Sequence, residues 1–215
     1  MVKFTSRDPD RISWLSVSCT NDVPDDMAIA SERLDVLMEA NGTWKGVCTT
    51  FEAVDLAGQG LTGKPEWASR GSVTVIGHSP MARGAASFFM SKGAAVSVAG
   101  VSDNRAAAIA REAGVRQIPW SAVHDARTDT LVIADFGLEC GVAKGQMNPS
   151  LIRERMTVVD LTVGMQGSAF AEEAQVRGAR YIDPMSVFAI QLNLQFRQLT
   201  GRDLPAEAWA KGLAE

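Results

Sequence analysis

The stretch SVTVIGHSPMARGAASFFMSKGAAVSVAG, residues 72–100, decides the fold. Its two ends, residues 72–77 and 95–100, are short runs rich in valine, which is typical of buried strands. Between them, residues 81–92 are rich in Ala and Phe, and Gly93 follows as a helix stop. A strand, a helix and a second strand in this order form a βαβ unit, whose strands lie parallel and are joined by a right-handed crossover.

The same alternation of strands and helices continues along the chain. Residues 103–113 predict a helix with Ser102 or Asp103 as its N-cap, and a long helix from Pro184 carries one apolar face. We therefore predict an α/β fold, a three-layer αβα Rossmann-like domain with a mostly parallel sheet over residues 61–215. Its other predicted segments are strands at 130–134, 156–161 and 180–183, a helix at 168–177 and a short closing helix at 204–213.

Residues 1–60 follow a different pattern, which predicts a small unit of strand and β-hairpin ahead of the Rossmann-like domain. The hairpin is predicted from Asn41-Gly42, because both central residues of the favoured two-residue turn need positive φ. The segments in this part and the connection after it are a strand at 12–19, a short helix at 25–33, the hairpin at 35–48, a helix at 51–57 and a glycine-rich connection at 58–71.

Composition and charge argue against several classes of function. The chain has 215 residues, 46% of them hydrophobic, and a formal net charge of −4, so a basic surface for nucleic acid or an anionic membrane is not expected. No run approaches the roughly 18 apolar residues of a membrane span. Three widely spaced cysteines and two histidines indicate neither a disulfide framework nor a zinc site, and we expect a protein of the reducing cytoplasm.

A dinucleotide-binding fold has its phosphate loop between the first strand and the first helix, which here is residues 77–83. Of the three glycines in the Gly-x-Gly-x-x-Gly fingerprint only the first is present. A serine followed by a proline also favours a helix start, so these residues either simply begin a helix or bind an anion at its N–H groups. The predicted cofactor contacts in this loop are Gly77, His78, Ser79, Met81, Ala82 and Arg83.

The end of the second strand is the usual place for the ribose of the cofactor. An NAD enzyme carries an acidic residue there and an NADP enzyme an arginine, whereas this chain has Gly100-Val101-Ser102. Ser102 is therefore a candidate contact, and so is Arg105, which lies one helical turn later and could reach a 2′-phosphate. An arginine on an exposed helix is more often solvated, so both interpretations stay open.

Carboxylates follow two of the later strands, at the edge where α/β sheets bind ligands. Asp135 and Glu139, after the strand at 130–134, are either acid–base groups of a site or ordinary loop charges. Asp160 is expected to cap local backbone. His78 could contact a ligand, although a polar loop residue of this kind is more often solvated.

Several motifs resemble those of the shikimate/quinate dehydrogenase family. Asp183-Pro-Met-Ser-Val-Phe-Ala-Ile-Gln191 and the later Leu199-Thr-Gly201 are similar to its C-terminal segments. Val75-Ile-Gly77 with Ala82-Arg83 resembles part of its phosphate loop, and the hairpin around Asn41-Gly42 resembles the one before its Gly-x-Asn-Thr-Asp motif. The resemblance runs from about Ser16 onward and implies that residues 1–60 are a truncated remnant of the family's substrate lobe.

The resemblance implies an NADP-dependent oxidoreductase of aromatic biosynthesis, which interconverts 3-dehydroshikimate and shikimate with a catalytic Lys and Asp. At those two positions this chain has Asp25 and Thr50, and among the family's substrate contacts only Gln191 matches. Two hypotheses follow. In the first, the chain is an oxidoreductase domain that uses NADP and is completed by a missing lobe or partner chain. Alternatively, it is a non-catalytic module that binds a nucleotide or another small molecule, with or without forming a homodimer.

Overall fold

The computed structural model describes residues 35–40, 43–69, 71–135, 138–162, 169–205 and 207–208. The predicted strand at 12–19, the predicted helix at 25–33 and most of the predicted closing helix lie outside these residues. The division of the chain at residue 60 stays a prediction.

A β-hairpin opens the described part of the chain, as predicted. Strand β1, Val36–Ala40, pairs antiparallel with β2, Thr43–Val47. Because Ala40 faces Thr43 in the register, two residues separate the paired strands, which agrees with the two-residue turn expected from Asn-Gly.

A six-stranded parallel sheet forms the centre of the fold. Its strands are β3 (Ser72–Ile76), β4 (Ala95–Ala99), β5 (Arg116–Gln117), β6 (Thr130–Ile133), β7 (Thr157–Asp160) and β8 (Arg180–Ile182). Their spatial order is β5-β4-β3-β6-β7-β8, and every neighbouring pair is parallel. This is the strand order of the dinucleotide-binding fold, in which the chain crosses from one half of the sheet to the other next to the first strand. The predicted fold class is confirmed.

Helices cover both faces of this sheet. They are α1 (Thr50–Thr62), α2 (Pro80–Ser91), α3 (Asp103–Glu112), α4 (Ala169–Arg177) and α5 (Pro184–Thr200), with 3-10 turns at Trp120–Asp125 and Pro149–Leu151. Helices α1, α2, α3 and α5 bury their apolar sides on one face, around Phe51, Phe89, Val75 and Val98. Helix α4 and the two 3-10 turns cover the other face, around Leu131, Ile133, Leu151 and Phe170. None of the helices in the described residues is long and apolar enough to cross a membrane.

Helix α1 corrects one prediction, because it continues to Thr62 although the predicted helix ended at residue 57. Two glycines inside it suggested a connection instead. A Cβ atom at Gly58 would lie 2.0 Å from Cε2 of Trp67, so this glycine lets the indole pack directly on the helix backbone. The Trp67 Nε1–H also donates to the backbone carbonyl of Asp55 at 3.1 Å. Tertiary packing therefore outweighs the low helix propensity of glycine here.

The two glycines of α1 give a matched test of this packing. We expect Gly58→Ala to lower the free energy of unfolding by about 1 to 3 kcal/mol, because the new methyl group displaces the Trp67 indole. Gly60→Ala is the control, since a Cβ atom there meets nothing within 4 Å. It should raise stability by about 0.5 to 1 kcal/mol through helix propensity alone. Urea denaturation followed by circular dichroism measures both, and equal effects of the two changes would contradict the packing argument.

Candidate functional site

The carboxyl ends of β3 and β6 lie side by side at the point where the chain order in the sheet reverses. Ile76 pairs with Ile133 in the parallel register, so the residues that follow each strand emerge at the same edge. Ligands of open α/β sheets bind in the crevice at this point. The phosphate loop, residues 77–83, and Asp135 are therefore neighbours in space.

The loop keeps the packing that its first and third fingerprint positions require. A Cβ atom added to Gly77 would lie 2.7 Å from Oδ1 of Asp135 and 3.0 Å from Cβ of Ala82, so a larger residue does not fit. Ala82, in the first turn of α2, is itself fully buried in the core. Ser79 is the N-cap of α2, where its hydroxyl accepts from the Ala82 N–H, and Pro80 is the first helical residue.

The carboxylate of Asp135 binds the backbone of this loop. Its Oδ2 accepts from the His78 N–H at 2.8 Å, and its Oδ1 accepts from the Ser79 N–H at 3.1 Å. The imidazole Nδ1 of His78 lies 2.7 Å from the same Oδ2, although it is not aligned for a hydrogen bond. Both side chains are largely withdrawn from solvent, with exposures of 25% for His78 and 16% for Asp135.

These contacts decide how well a dinucleotide fits the loop. Phosphate loops bind pyrophosphate through backbone N–H groups at the start of the helix. Here Asp135 takes those of His78 and Ser79, Pro80 has none, and Ser79 takes that of Ala82. Within the described part of the chain, the Met81 N–H is the one donor of this turn that remains for a ligand. The loop in this arrangement does not fit a dinucleotide phosphate.

The other predicted cofactor contacts are spread along α2 and α3. Arg83 reaches Glu112 at the end of α3, with 3.2 Å between Nη1 and Oε2, and so ties the two helices together. Ser102 is the N-cap residue of α3 without a side-chain capping bond, and Arg105 is exposed in the first turn. Their role in binding a 2′-phosphate stays a prediction.

A second polar cluster lies at the N-terminus of α1, where the resemblance places a catalytic carboxylate and a substrate contact. The Gln191 Nε2 of α5 donates to the Thr50 hydroxyl at 3.0 Å, although 141 positions separate the two residues. The structure thus brings together two of the residues selected from the sequence. Asp25, the third, lies outside the described residues.

Asp35 completes this cluster. Its carboxylate, 5% exposed, accepts from the backbone N–H of Thr49 at 2.7 Å, from that of Thr50 at 2.8 Å and from the Thr50 hydroxyl at 2.9 Å. It therefore acts as an N-cap supplied by an earlier part of the chain, and its charge suits the positive end of the helix dipole. The sequence did not single out Asp35, because a capping side chain is normally looked for directly before the helix.

The hydrogen bonds of Thr50 limit its chemistry. A hydroxyl has one proton to donate, and that of Thr50 goes to Asp35, while a lone pair accepts from Gln191. The Asp35 carboxylate is in turn occupied by the helix backbone. The cluster can position a ligand, but these two side chains offer no free proton donor to a substrate.

Two further carboxylates at the sheet edge have structural partners. Asp160 is fully buried and accepts from the Thr162 N–H at 2.9 Å, which confirms the predicted backbone cap, and from the Tyr181 hydroxyl at 2.7 Å. Glu139 accepts from the Gln146 amide at 2.8 Å. Across the residues that the structure describes, no group of three or more His, Cys, Asp or Glu side chains could hold a metal ion.

Cys140 lies in the loop after β6 and is half-buried. Burial raises the pKa of its thiol, the nearby Glu173 carboxylate raises it further, and Arg177 lowers it. Because the thiolate is the nucleophilic form, this cysteine is poorly suited to act as a nucleophile near neutral pH.

Solved structures with this fold include proteins of known activity. A shikimate 5-dehydrogenase from Thermus thermophilus, in complex with NADP(H) and shikimate, is 22% identical, with a TM-score of 0.71 over 92% of this chain and 79% of that one. A shikimate 5-dehydrogenase-like protein is 19% identical, with a TM-score of 0.74 over 98% and 84%. The 5-ketofructose reductase of a Gluconobacter species, in its ligand-free form, is 16% identical, with a TM-score of 0.72 over 95% and 82%.

At these identities the likeness shows the fold, and it agrees with the resemblance seen in the sequence. No protein-family model matches the chain, and no curated protein sequence matches it.

Removing the buried cap tests the cluster at α1. We expect Asp35→Ala to lower the free energy of unfolding by about 2 to 4 kcal/mol, because the backbone N–H groups of Thr49 and Thr50 lose their acceptor. Asp35→Asn keeps one acceptor oxygen and should lower it by about 1 kcal/mol. Asp103→Ala is the control, since that exposed carboxylate accepts from one backbone N–H, that of Trp120. Thermal unfolding measures all three, and equal effects of Asp35→Ala and Asp103→Ala would contradict the assignment.

The raised pKa of Cys140 predicts slow alkylation. At about pH 8, below the usual pKa of a free thiol, little thiolate is present and iodoacetamide should react slowly. Glu173→Gln removes a charge that raises this pKa, so we expect faster labelling of Cys140 at the same pH, measured by peptide mass spectrometry. Glu172→Gln, an exposed change on the same helix, is the control, and an unchanged rate in Glu173→Gln would show that the carboxylate has no influence.

Proposed function

We propose that this chain is a shikimate dehydrogenase-like protein that keeps the scaffold and a small-molecule cleft but does not by itself interconvert 3-dehydroshikimate and shikimate. The observation that carries the proposal is the Thr50 hydroxyl, held between Asp35 and Gln191 at the position where the resemblance places a catalytic carboxylate. The shared fold supports the ancestry, and the contacts of Thr50 support the loss of turnover.

Reduction of a ketone to an alcohol moves a proton as well as a hydride, so an enzyme of this type needs a side chain that gains and loses a proton at the reacting oxygen. A threonine hydroxyl does not ionise near neutral pH, so it cannot act there as an acid or base in the way that a carboxylate or an imidazole does. The neighbouring Asp35 is nearly inaccessible and is engaged as a helix cap. Among the described residues of this cluster, none therefore serves as the proton carrier that the reaction requires.

The same cluster supports binding of a small hydroxylated molecule. Gln191 is partly exposed, and one of its two amide N–H groups donates to Thr50. Its carbonyl oxygen and second N–H can accept from and donate to hydroxyl groups of a ligand. A polyol or hydroxy acid is the class of ligand that these groups suit.

An assay of the purified chain tests the loss of turnover. Shikimate and quinate are each incubated with NADP⁺ and with NAD⁺, and the absorbance of reduced nicotinamide is followed. We expect no turnover above a protein-free blank, with an active shikimate dehydrogenase as the positive control. Turnover by this chain that disappears in Gln191→Ala would overturn the proposal, because it would place a working active site at this cluster.

Ligand-observed NMR tests the binding half of the proposal. We expect the signals of shikimate to broaden with wild-type protein and to broaden much less with Gln191→Ala. Gln198→Ala, an exposed change on the same helix, should leave the broadening as in wild type. Equal broadening in all three proteins, or in none, would contradict a ligand cleft at Gln191.

A further inference from the structure

The Asp135 carboxylate binds backbone N–H groups of the loop that holds a cofactor phosphate in dinucleotide-binding folds. We propose that Asp135 is an internal anion that fills the phosphate loop, and that this carboxylate makes the chain select against dinucleotide phosphates at the sheet edge. The inference concerns a different site from the Thr50 cluster and does not depend on the proposed lack of turnover.

The geometry of the carboxylate is that of a bound anion. Each of its two oxygens accepts a loop N–H, from His78 at 2.8 Å and from Ser79 at 3.1 Å. The His78 ring approaches the same group, with its Nδ1 2.7 Å from Oδ2. Backbone N–H groups are the partners that a phosphate oxygen would use at a helix start.

A dinucleotide phosphate meets two obstacles at this loop. It must displace Asp135 to reach the N–H groups, which breaks charge-assisted hydrogen bonds in a mostly buried place. If the carboxylate stays nearby, two negative groups lie within a few ångströms of each other, which is unfavourable where solvent screening is weak. Pro80 makes the first obstacle larger, because it has no N–H group that could replace the occupied ones.

A second aspartate, at the other end of β6, provides a matched control. Asp129, at the opposite edge of the sheet, accepts from the Ser72 N–H at 2.8 Å and from the Ser72 hydroxyl at 2.9 Å. Like Asp135, it lies next to an end of β6, and its carboxylate accepts from backbone at or just beyond an end of β3. Asp129→Asn therefore removes the same charge and the same type of brace, but far from the loop.

Calorimetric titrations with four probes test the proposal: NADP⁺, NADPH, inorganic pyrophosphate and adenosine. Wild type and Asp129→Asn should bind NADP⁺ only weakly, with Kd near or above about 1 mM, the affinity expected when few good contacts form. Asp135→Asn should bind NADP⁺ and pyrophosphate at least tenfold more tightly. Adenosine, which has no phosphate, should bind all three proteins alike.

The opposite outcomes overturn the inference. Micromolar binding of NADP⁺ by wild type, unchanged or weakened in Asp135→Asn, would show that Asp135 supports the cofactor instead of replacing it. An equal gain in affinity for NADP⁺ in Asp129→Asn would show that the effect comes from the change in net charge and not from the position of Asp135. If Asp135→Asn does not fold, as judged by its circular dichroism spectrum, Asp135→Ser carries the same test, since it also removes the charge and keeps one acceptor.

Discussion

The parallel pairing of β3 with β4 on one side and β6 on the other is the constraint on which the rest of the structure depends. It brings three strand ends to one edge, so that the Gly77 N–H donates to the carbonyl of Ala99 at 2.7 Å and the loop that follows meets Asp135. The three strands are buried where they end at this edge, at Ile76, Ala99 and Ile133. Loop, helix start and carboxylate therefore have little freedom to rearrange independently.

Both candidate sites have a carboxylate bound to the start of a helix. At each one, the backbone N–H groups at the start of a helix are satisfied by a carboxylate from a distant part of the chain: Asp35 for α1 and Asp135 for α2. Such caps make the helix starts rigid and satisfy their donors internally. In a protein that binds an anionic cofactor or an acidic substrate at a helix start, the ligand would accept from those N–H groups instead. In this chain, carboxylates of the protein itself accept from them.

Much of the fold could be predicted from the sequence because the sequence patterns that indicate its strands, helices and turns are formed by neighbouring residues. The βαβ pattern of residues 72–100, the Asn-Gly hairpin and the fingerprint position of Gly77 each depend on neighbouring residues. The extension of α1 could not be predicted, since it depends on Trp67 packing over Gly58. The two-residue strand β5 is too short to show a pattern. The contact of Asp135 with His78 spans 57 positions and follows only from the strand order.

Helix α1 packs along α5, and Gln191 reaches Thr50 across 141 positions. Contacts between segments so far apart form late, because the chain between them must first be closed into a loop. During synthesis, α1 leaves the ribosome well before residues 184–200, and its α5-facing side has no partner until they follow. We therefore expect folding to be completed only after α5 has been synthesised, and the α5-facing side of α1 to be exposed apolar surface of the kind that chaperones bind until then.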